Sequence, residues 1–222
     1  MQWALGEQGS GVARIPKALW LHDGTAILYN ERLSKEQRTF DRFDPATGKT
    51  TPILDLPKAL ASLKSLTADD AHQTGLDWPE DFDVSGTKAA YLFSNDVFIL
   101  DLPTATFTRL TSTASEERDL HFSPDGHLLS YVRDNDIYVY DLAGKKESRL
   151  TTDSSDHILN GTLTWVYWEE IFGRTDVGYW WSPDSKSIAY LQTDVTGVPV
   201  STFVDFRPQD PRIIHQVYPK AG

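Results

Sequence analysis

The chain has 222 residues, 40% of them hydrophobic, with seven Trp, nine Tyr and ten Phe and a formal charge of -11. That is ample material for a buried core and excludes a disordered chain, while the acidity, with no Lys/Arg stripe to offset it, argues against nucleic acid as a partner. There is no cysteine, so disulfides and thiolate metal sites are excluded.

Residues 1–12 (MQWALGEQGSGV) are Gly-rich and without periodicity, which reads as an N-terminal tail. They hold no apolar run of the kind a signal peptide needs, and nowhere in the chain do about eighteen apolar residues follow one another, so no membrane segment is visible. Patterned sequence then begins. Ala18 to Leu21, the turn residues His22-Asp23-Gly24 and Ala26 to Tyr29 predict strand, tight turn, strand. Phe40 to Phe43, Asp44-Pro45-Ala46-Thr47-Gly48 and Thr50 to Leu54 predict a second hairpin. In Leu56 to Leu66, apolar residues at Leu56, Leu60, Leu63 and Leu66 predict a short amphipathic helix serving as a connection.

The strongest internal signal is a repeat. Aligning Phe82-Asp83-Val84-Ser85-Gly86 with Phe122-Ser123-Pro124-Asp125-Gly126 keeps Tyr91 with Tyr131 and Asn95-Asp96 with Asn135-Asp136. It also keeps Asp101-Leu102 with Asp141-Leu142 and Arg109-Leu110-Thr111 with Arg149-Leu150-Thr151. A period of about 40 residues is that of a four-stranded propeller blade. The Asp-Gly and Asn-Asp pairs fall where chain reversal calls for residues tolerant of positive φ. The pattern resumes at Tyr179-Trp180-Trp181-Ser182-Pro183-Asp184-Ser185, so Gly24, Gly86, Gly126 and Ser185 mark four units. The fold class predicted is all-β: a partial β-propeller of about four blades over residues 13–222. Four blades do not close a ring, and open edges would be left unpaired, so the chain is expected to be part of a larger protein.

Between the third and fourth markers lies a surplus of roughly half a blade. It contains Thr164 to Phe172 (TWVYWEEIF), in an insertion spanning about residues 154–175. Helical spacing would put Trp165, Trp168 and Ile171 or Phe172 on one face and Glu169 and Glu170 nearer the other. An insertion between blades is where function is grafted onto a repeat scaffold.

Two readings of Glu169 and Glu170 stay open on composition and spacing. Neighbouring carboxylates can accept from the three donors of an alkylammonium ion such as a free peptide N-terminus, or they can form the solvated face of an amphipathic helix. Adjacent α-helical positions differ by about 100° in direction, so both carboxylates converge only if the helix end is irregular or the ligand sits between them. A glycosidase pair fits less well, because its carboxylates act from opposite sides of a bond, about 5 Å or more apart.

Other candidates have structural explanations. Ser123-Pro124-Asp125-Gly126 and Ser182-Pro183-Asp184 sit at blade turns, and no Gly-x-Ser-x-Gly elbow occurs. His22, His72, His121, His127, His157 and His215 show no His-Glu-x-x-His spacing, so no metal site is expected. Asn160-Gly161-Thr162 fits either a glycosylation sequon or an Asn-Gly turn, and Trp180-Trp181 either a stacking surface or core.

With TWVYWEEIF, Gly173-Arg174, Gly178 to Ser185 (GYWWSPDS), Val198-Pro199 and Tyr218 to Gly222 (YPKAG), the chain resembles the N-terminal β-propeller of the dipeptidyl peptidase IV family. That family lies in the prolyl oligopeptidase group of serine peptidases, and the resemblance is nearest to bacterial members. It covers about Asp119 to Gly222. It implies a short helix entering a cavity shared with a C-terminal α/β-hydrolase domain, where the double Glu, here Glu169 and Glu170, binds the ammonium of a peptide substrate. An anchor about two extended residues, roughly 7 Å, from the nucleophile permits removal of dipeptides, with Pro or Ala as the usual second residue. The resemblance further implies a homodimer at full length, a periplasmic or secreted setting and no cofactor. The catalytic Ser, Asp and His would lie in the hydrolase domain, so this chain is expected to be inactive alone. Two positions depart from the family pattern: Thr164 stands where Asp is usual, and Trp168 where a more polar residue precedes the Glu pair. The arginine that mammalian members supply from an earlier blade has no counterpart within Tyr91 to Leu100. The alternative function is a propeller acting as a binding module without peptidase activity.

Overall fold

The computed structural model describes residues 16–67 and 73–218; the tail expected over residues 1–12, His72 and the closing Pro219 to Gly222 lie outside the described residues. Three four-stranded sheets follow one another, each a meander in which chain neighbours are sheet neighbours. The first holds β1 (Lys17–Trp20), β2 (Ala26–Tyr29), β3 (Phe40–Asp44) and β4 (Lys49–Pro52). Helix α1 (Leu56–Leu66) leads to the second, made of β5 (Asp81–Phe82), β6 (Lys88–Phe93), β7 (Asp96–Asp101) and β8 (Thr106–Arg109). The third holds β9 (Glu117–Phe122), β10 (Leu128–Arg133), β11 (Asp136–Asp141) and β12 (Lys146–Arg149). A fourth unit has β13 (Ile158–Asn160), β14 (Tyr179–Trp181), β15 (Ile188–Tyr190) and β16 (Gln192–Asp194), with β13 paired to β16 and β14 to β15. A hairpin of β17 (Val200–Asp205) and β18 (Arg212–Val217) ends the described chain. The all-β partial propeller read from the repeat is thus what the chain forms. Among the described residues no helix is long and apolar enough to cross a membrane.

The four markers occupy equivalent turns because they solve one backbone problem. Gly24, Gly86, Gly126 and Ser185 all have φ between +59° and +81°. In the first, third and fourth units the marker N–H closes the turn onto the carbonyl three residues back (Leu21, Ser123 and Ser182, 2.8–3.0 Å). The preceding Asp carboxylate accepts the N–H two residues on, from Thr25, His127 and Lys186 at 2.9–3.2 Å, which is the local bond that makes Asp a turn residue. The second reversal departs from the expected Asn-Asp placement. Its left-handed pair is Ser94-Asn95 in one blade and Asp134-Asn135 in the next, so Asp96 and Asp136 instead open β7 and β11 and are buried. Each holds the arginine and threonine of the Arg-Leu-Thr repeat: Arg109 and Thr111 donate to Asp96, Arg149 and Thr151 to Asp136. The same threonine hydroxyls accept the N–H of Val97 (2.8 Å) and Ile137 (3.0 Å), which ties the end of each blade to its third strand.

The chain divides into two compact units, the first built on sheet one, α1, Val84–Ala89 and Leu100–Thr108, the second on the remainder. In the first, Trp78 packs edge-to-face on Tyr29 and Phe40, which are tilted against each other, with centroids 5.5–6.1 Å apart, and Tyr29 Oη donates to Leu76 O at 2.8 Å. Helix α1 starts where Asp55 accepts the Lys58 N–H (3.1 Å), has Pro57 in its first turn, and buries Leu56, Ala59 and Leu63. In the second unit Ala90, Val97, Leu120, Phe122, Leu129 and Tyr131 form one core cluster, and Val132, Ile137 and Tyr179 another.

Candidate functional site

The surplus between the third and fourth markers has a narrower location than the repeat count gives. The Glu117 N–H bonds Asn95 O (3.1 Å) at the head of β9, and the Asn160 N–H bonds Asn135 O (2.9 Å) at the end of β13, so Glu117 and Asn160 are equivalent. Phe122 and Trp181, each just before its Ser-Pro-Asp turn, are equivalent too. β13 and β14 are therefore two halves of one strand facing β15 and β16, and the chain between them leaves and returns. In β9 the same stretch holds only a β-bulge, where the pairing with β10 slips between Ser130 and Val132 and Asp119 has φ +58°. The detour stands at the position that a bulge occupies in β9.

Its neck is closed by backbone bonds. Gly161 N–H donates to Leu191 O (3.0 Å), Gly178 N–H to Gly161 O (2.9 Å), Leu191 N–H to Gly178 O (2.8 Å) and Leu163 N–H to Asp176 O (2.9 Å), with Thr162 bridged to Val177. Gly161 has φ +72°, and a Cβ there would meet Ile137 Cγ1 at 2.7 Å and Tyr179 Cδ1 at 3.3 Å. Gly161→Ala is expected to cost about 1–3 kcal/mol, through left-handed backbone and overlap combined, read as a lower urea midpoint; an unchanged midpoint would show that the neck has room. Asn160 is fully buried, its Nδ2 donating to Asp136 Oδ1 and Asp153 Oδ1 (both 2.9 Å) and its Oδ1 accepting from Gln192 Nε2 (2.9 Å). The folded chain thus presents it as a lock between strands, not as a glycan acceptor.

Beyond the neck the backbone runs as a π-turn over Tyr167–Ile171. Trp168 N–H donates to Thr164 O (3.0 Å), Phe172 N–H to Tyr167 O (3.0 Å, an i→i+5 bond) and Arg174 N–H to Trp168 O (2.7 Å). No side chain caps its start, and none of its residues is buried. This corrects the single apolar face expected from helical spacing. With an i→i+5 turn the aromatic residues part company: Trp165 packs on Tyr218 (centroids 5.1 Å), Phe172 on Trp180 (6.4 Å), and Ile171 is 63% exposed. The wider turn also reduces the angle between successive side chains below the α-helical 100°, which brings Glu169 and Glu170 nearer to a common direction.

Glu169 is half-buried and Glu170 exposed, and among the described residues neither has a hydrogen-bond or ion-pair partner. Arg174, left-handed at φ +71°, is exposed and forms no ion pair with them. A cavity of about 410 Å³ is walled by His121, Phe122, Phe172, Val177, Trp180 and Trp181, and a second of about 880 Å³ by Trp165, Val200, Phe203, Ile214 and Tyr218; neither is lined by Glu169 or Glu170. Trp180, 46% exposed, is thus a wall of the first cavity rather than core, while Trp181 Nε1 donates to Ser130 Oγ (2.8 Å). Burial holds the His121 imidazole below its ordinary range, which keeps it neutral in that wall. Among the described residues no three His, Asp or Glu are grouped to hold a metal ion.

Residues 83–222 match the family described as the dipeptidyl peptidase IV (DPP IV) N-terminal region. Among curated relatives, dipeptidyl peptidase 4 of Bos taurus is 42% identical over 140 residues and prolyl endopeptidase FAP of Mus musculus 34% over 138, each match covering 62% of this chain and 13% of the relative. The structure of Porphyromonas gingivalis dipeptidyl peptidase 4 superposes with a TM-score of 0.73 at 23% identity, over 96% of this chain and 30% of that one. The chain spans less than a third of the length of these relatives, and it belongs to the dipeptidyl peptidase IV N-terminal region family.

Proposed function

We propose that this chain is the part of a serine-type dipeptidyl aminopeptidase that recognises the substrate's N-terminal ammonium, through Glu169 and Glu170. The observation that carries the reading is the π-turn, which presents two adjacent carboxylates, unpaired among the described residues, at the tip of a detour from a propeller strand. An ammonium carries three donors and one positive charge, and two carboxylates supply the complementary acceptors and charge. Bond cleavage is assigned to an α/β-hydrolase domain outside this sequence, the assembly to a homodimer of the complete protein, and the preferred substrates to peptides with Pro or Ala second.

The test is the charge of the amine. A Gly-Pro chromogenic substrate and its N-acetylated counterpart are offered to the complete protein carrying this chain. Hydrolysis of the free amine with near loss of the acetylated substrate is the expected result. Equal rates on both would overturn the proposal, and no turnover of either would favour a propeller that binds without cleaving.

A further inference from the structure

The π-turn that carries Glu169 and Glu170 has no side-chain cap and buries none of its residues, and so short a helical segment does not hold its place by its own bonds. Its direction must be set from its two ends. At the exit Phe172 packs on Trp180 of β14, ring centroids 6.4 Å apart, which ties that end to the blade strand. At the entry Trp165 packs on Tyr218, centroids 5.1 Å apart and rings tilted by 33°. Tyr218 stands just past β18, its N–H bonded to Pro199 O at 2.9 Å across the open end of the hairpin. We propose that Trp165 and Tyr218 are positioning residues for the ammonium site: their ring contact seats the entry of the turn on the hairpin β17–β18, and that seat directs Glu169 and Glu170.

The ring contact is not isolated. A small cavity of about 130 Å³ is lined both by Thr164, Val166 and Tyr167 of the entry and by Val217 of β18, so the entry meets the hairpin along several residues. Trp165 and Tyr218 also wall the 880 Å³ cavity together with Val200, Phe203 and Ile214 of the hairpin. The same entry residues supply the carbonyls on which the turn is built: Thr164 O accepts the Trp168 N–H and Tyr167 O the Phe172 N–H, both at 3.0 Å. A shift of the entry is thus passed to the backbone of the turn, and with it to the glutamates that follow Trp165 by four and five residues.

The size of the effect follows from the kind of contact. An aromatic pair shifts a local equilibrium by about two- to tenfold beyond the area it buries. Among the described residues the Tyr218 hydroxyl makes no hydrogen bond, so the contact is the ring itself and a phenylalanine preserves it. The consequence for substrate rests on the ammonium reading of Glu169 and Glu170; the seat of the turn does not.

In the complete protein carrying this chain, hydrogen exchange of peptides spanning Thr164 to Arg174 reads the seat, and kcat/KM on a free-amine Gly-Pro substrate reads its effect. Tyr218→Ala is expected to speed that exchange about two- to tenfold, leave peptides of β9 to β12 unchanged, and lower kcat/KM by a similar factor, chiefly through KM. Tyr218→Phe should match the unmodified protein in both. Trp165→Ala should behave as Tyr218→Ala, which carries the test if the tryptophan variant folds poorly. In a Glu169→Ala background Tyr218→Ala should lose most of its kinetic effect, because a seat that works by aiming the carboxylate then has less to aim. A full, additive effect there would mark Tyr218 as merely structural and overturn the proposal. So would exchange that is unchanged in Tyr218→Ala, or raised equally in Tyr218→Phe. The two readings fail separately. Exchange faster in Tyr218→Ala while Glu169→Ala and Glu170→Ala leave KM unchanged removes the ammonium site and keeps the seat, and impaired Glu variants with unchanged exchange in Tyr218→Ala remove the seat alone.

Discussion

Glu169→Ala and Glu170→Ala are each expected to reduce kcat/KM for a free-amine Gly-Pro substrate by about 30-fold to a few thousandfold. The range corresponds to the 2 to 5 kcal/mol lost when one partner of a hydrogen-bonded charge pair is truncated. The two effects should be unequal. Glu169 is half-buried and Glu170 exposed, so water and salt screen the second carboxylate more, and its loss belongs at the lower end. Because both act on one ammonium, the double variant should lose less than the sum of the singles. Gln at either position keeps an acceptor oxygen and removes the charge, and an intermediate loss would separate Coulombic attraction from hydrogen-bond geometry. Normal rates in both Ala variants would leave the pair as a solvated face.

The extent to which sequence announces this arrangement depends on how local the governing physics is. The four marker turns are legible because a positive φ restricts which residues can stand at Gly24, Gly86, Gly126 and Ser185, and in the first, third and fourth an Asp precedes the marker and bonds the N–H two residues on. Helix α1 is legible because the Asp55 cap, Pro57 and the Leu spacing agree. The roles of Asp96 and Asp136 are not: an Asn-Asp dipeptide looks like turn material until the arginine thirteen residues later is seen to close on it. The carboxylate pair was visible by residue type, yet its presentation was not, since 3.6-residue spacing presumes an α-helix and the chain adopts an i→i+5 turn. Nor does sequence show that the detour replaces a bulge, because that equivalence rests on two backbone bonds, from Glu117 to Asn95 and from Asn160 to Asn135.

Asp136→Ala is expected to be the most damaging single change to stability, at about 3 to 5 kcal/mol, because it leaves the buried Thr151 hydroxyl and Asn160 amide without their acceptor, at about 1–3 kcal/mol each. Asp136 is fully buried, and its Oδ1 accepts from Thr151 Oγ1 (2.6 Å) and Asn160 Nδ2 (2.9 Å) while its Oδ2 accepts from Ser154 Oγ (2.6 Å) and the Arg149 guanidinium. Burial works to raise its pKa, but the bonds from Ser154, Thr151, Arg149 and Asn160 outweigh it and hold the carboxyl below its ordinary range. A depressed carboxyl stabilises the fold above its unfolded pKa of about 4 and loses that contribution as pH falls through the folded value, so the cost of the substitution should shrink in acid. Asp96, its counterpart one blade earlier, accepts from Arg109, Thr111 and the Thr113 N–H but receives no asparagine from the following unit. Asp96→Ala should therefore cost less, and the difference reads what the Asn160 bond adds between the third blade and the strand that carries the detour, together with the exchange of the Thr113 N–H for the Ser154 hydroxyl. Urea unfolding at pH 7 and pH 3 reads both variants. An Asp136→Ala midpoint no lower than that of Asp96→Ala would show that the carboxylate does not join those strands, and that the detour is anchored by the backbone bonds of its neck alone.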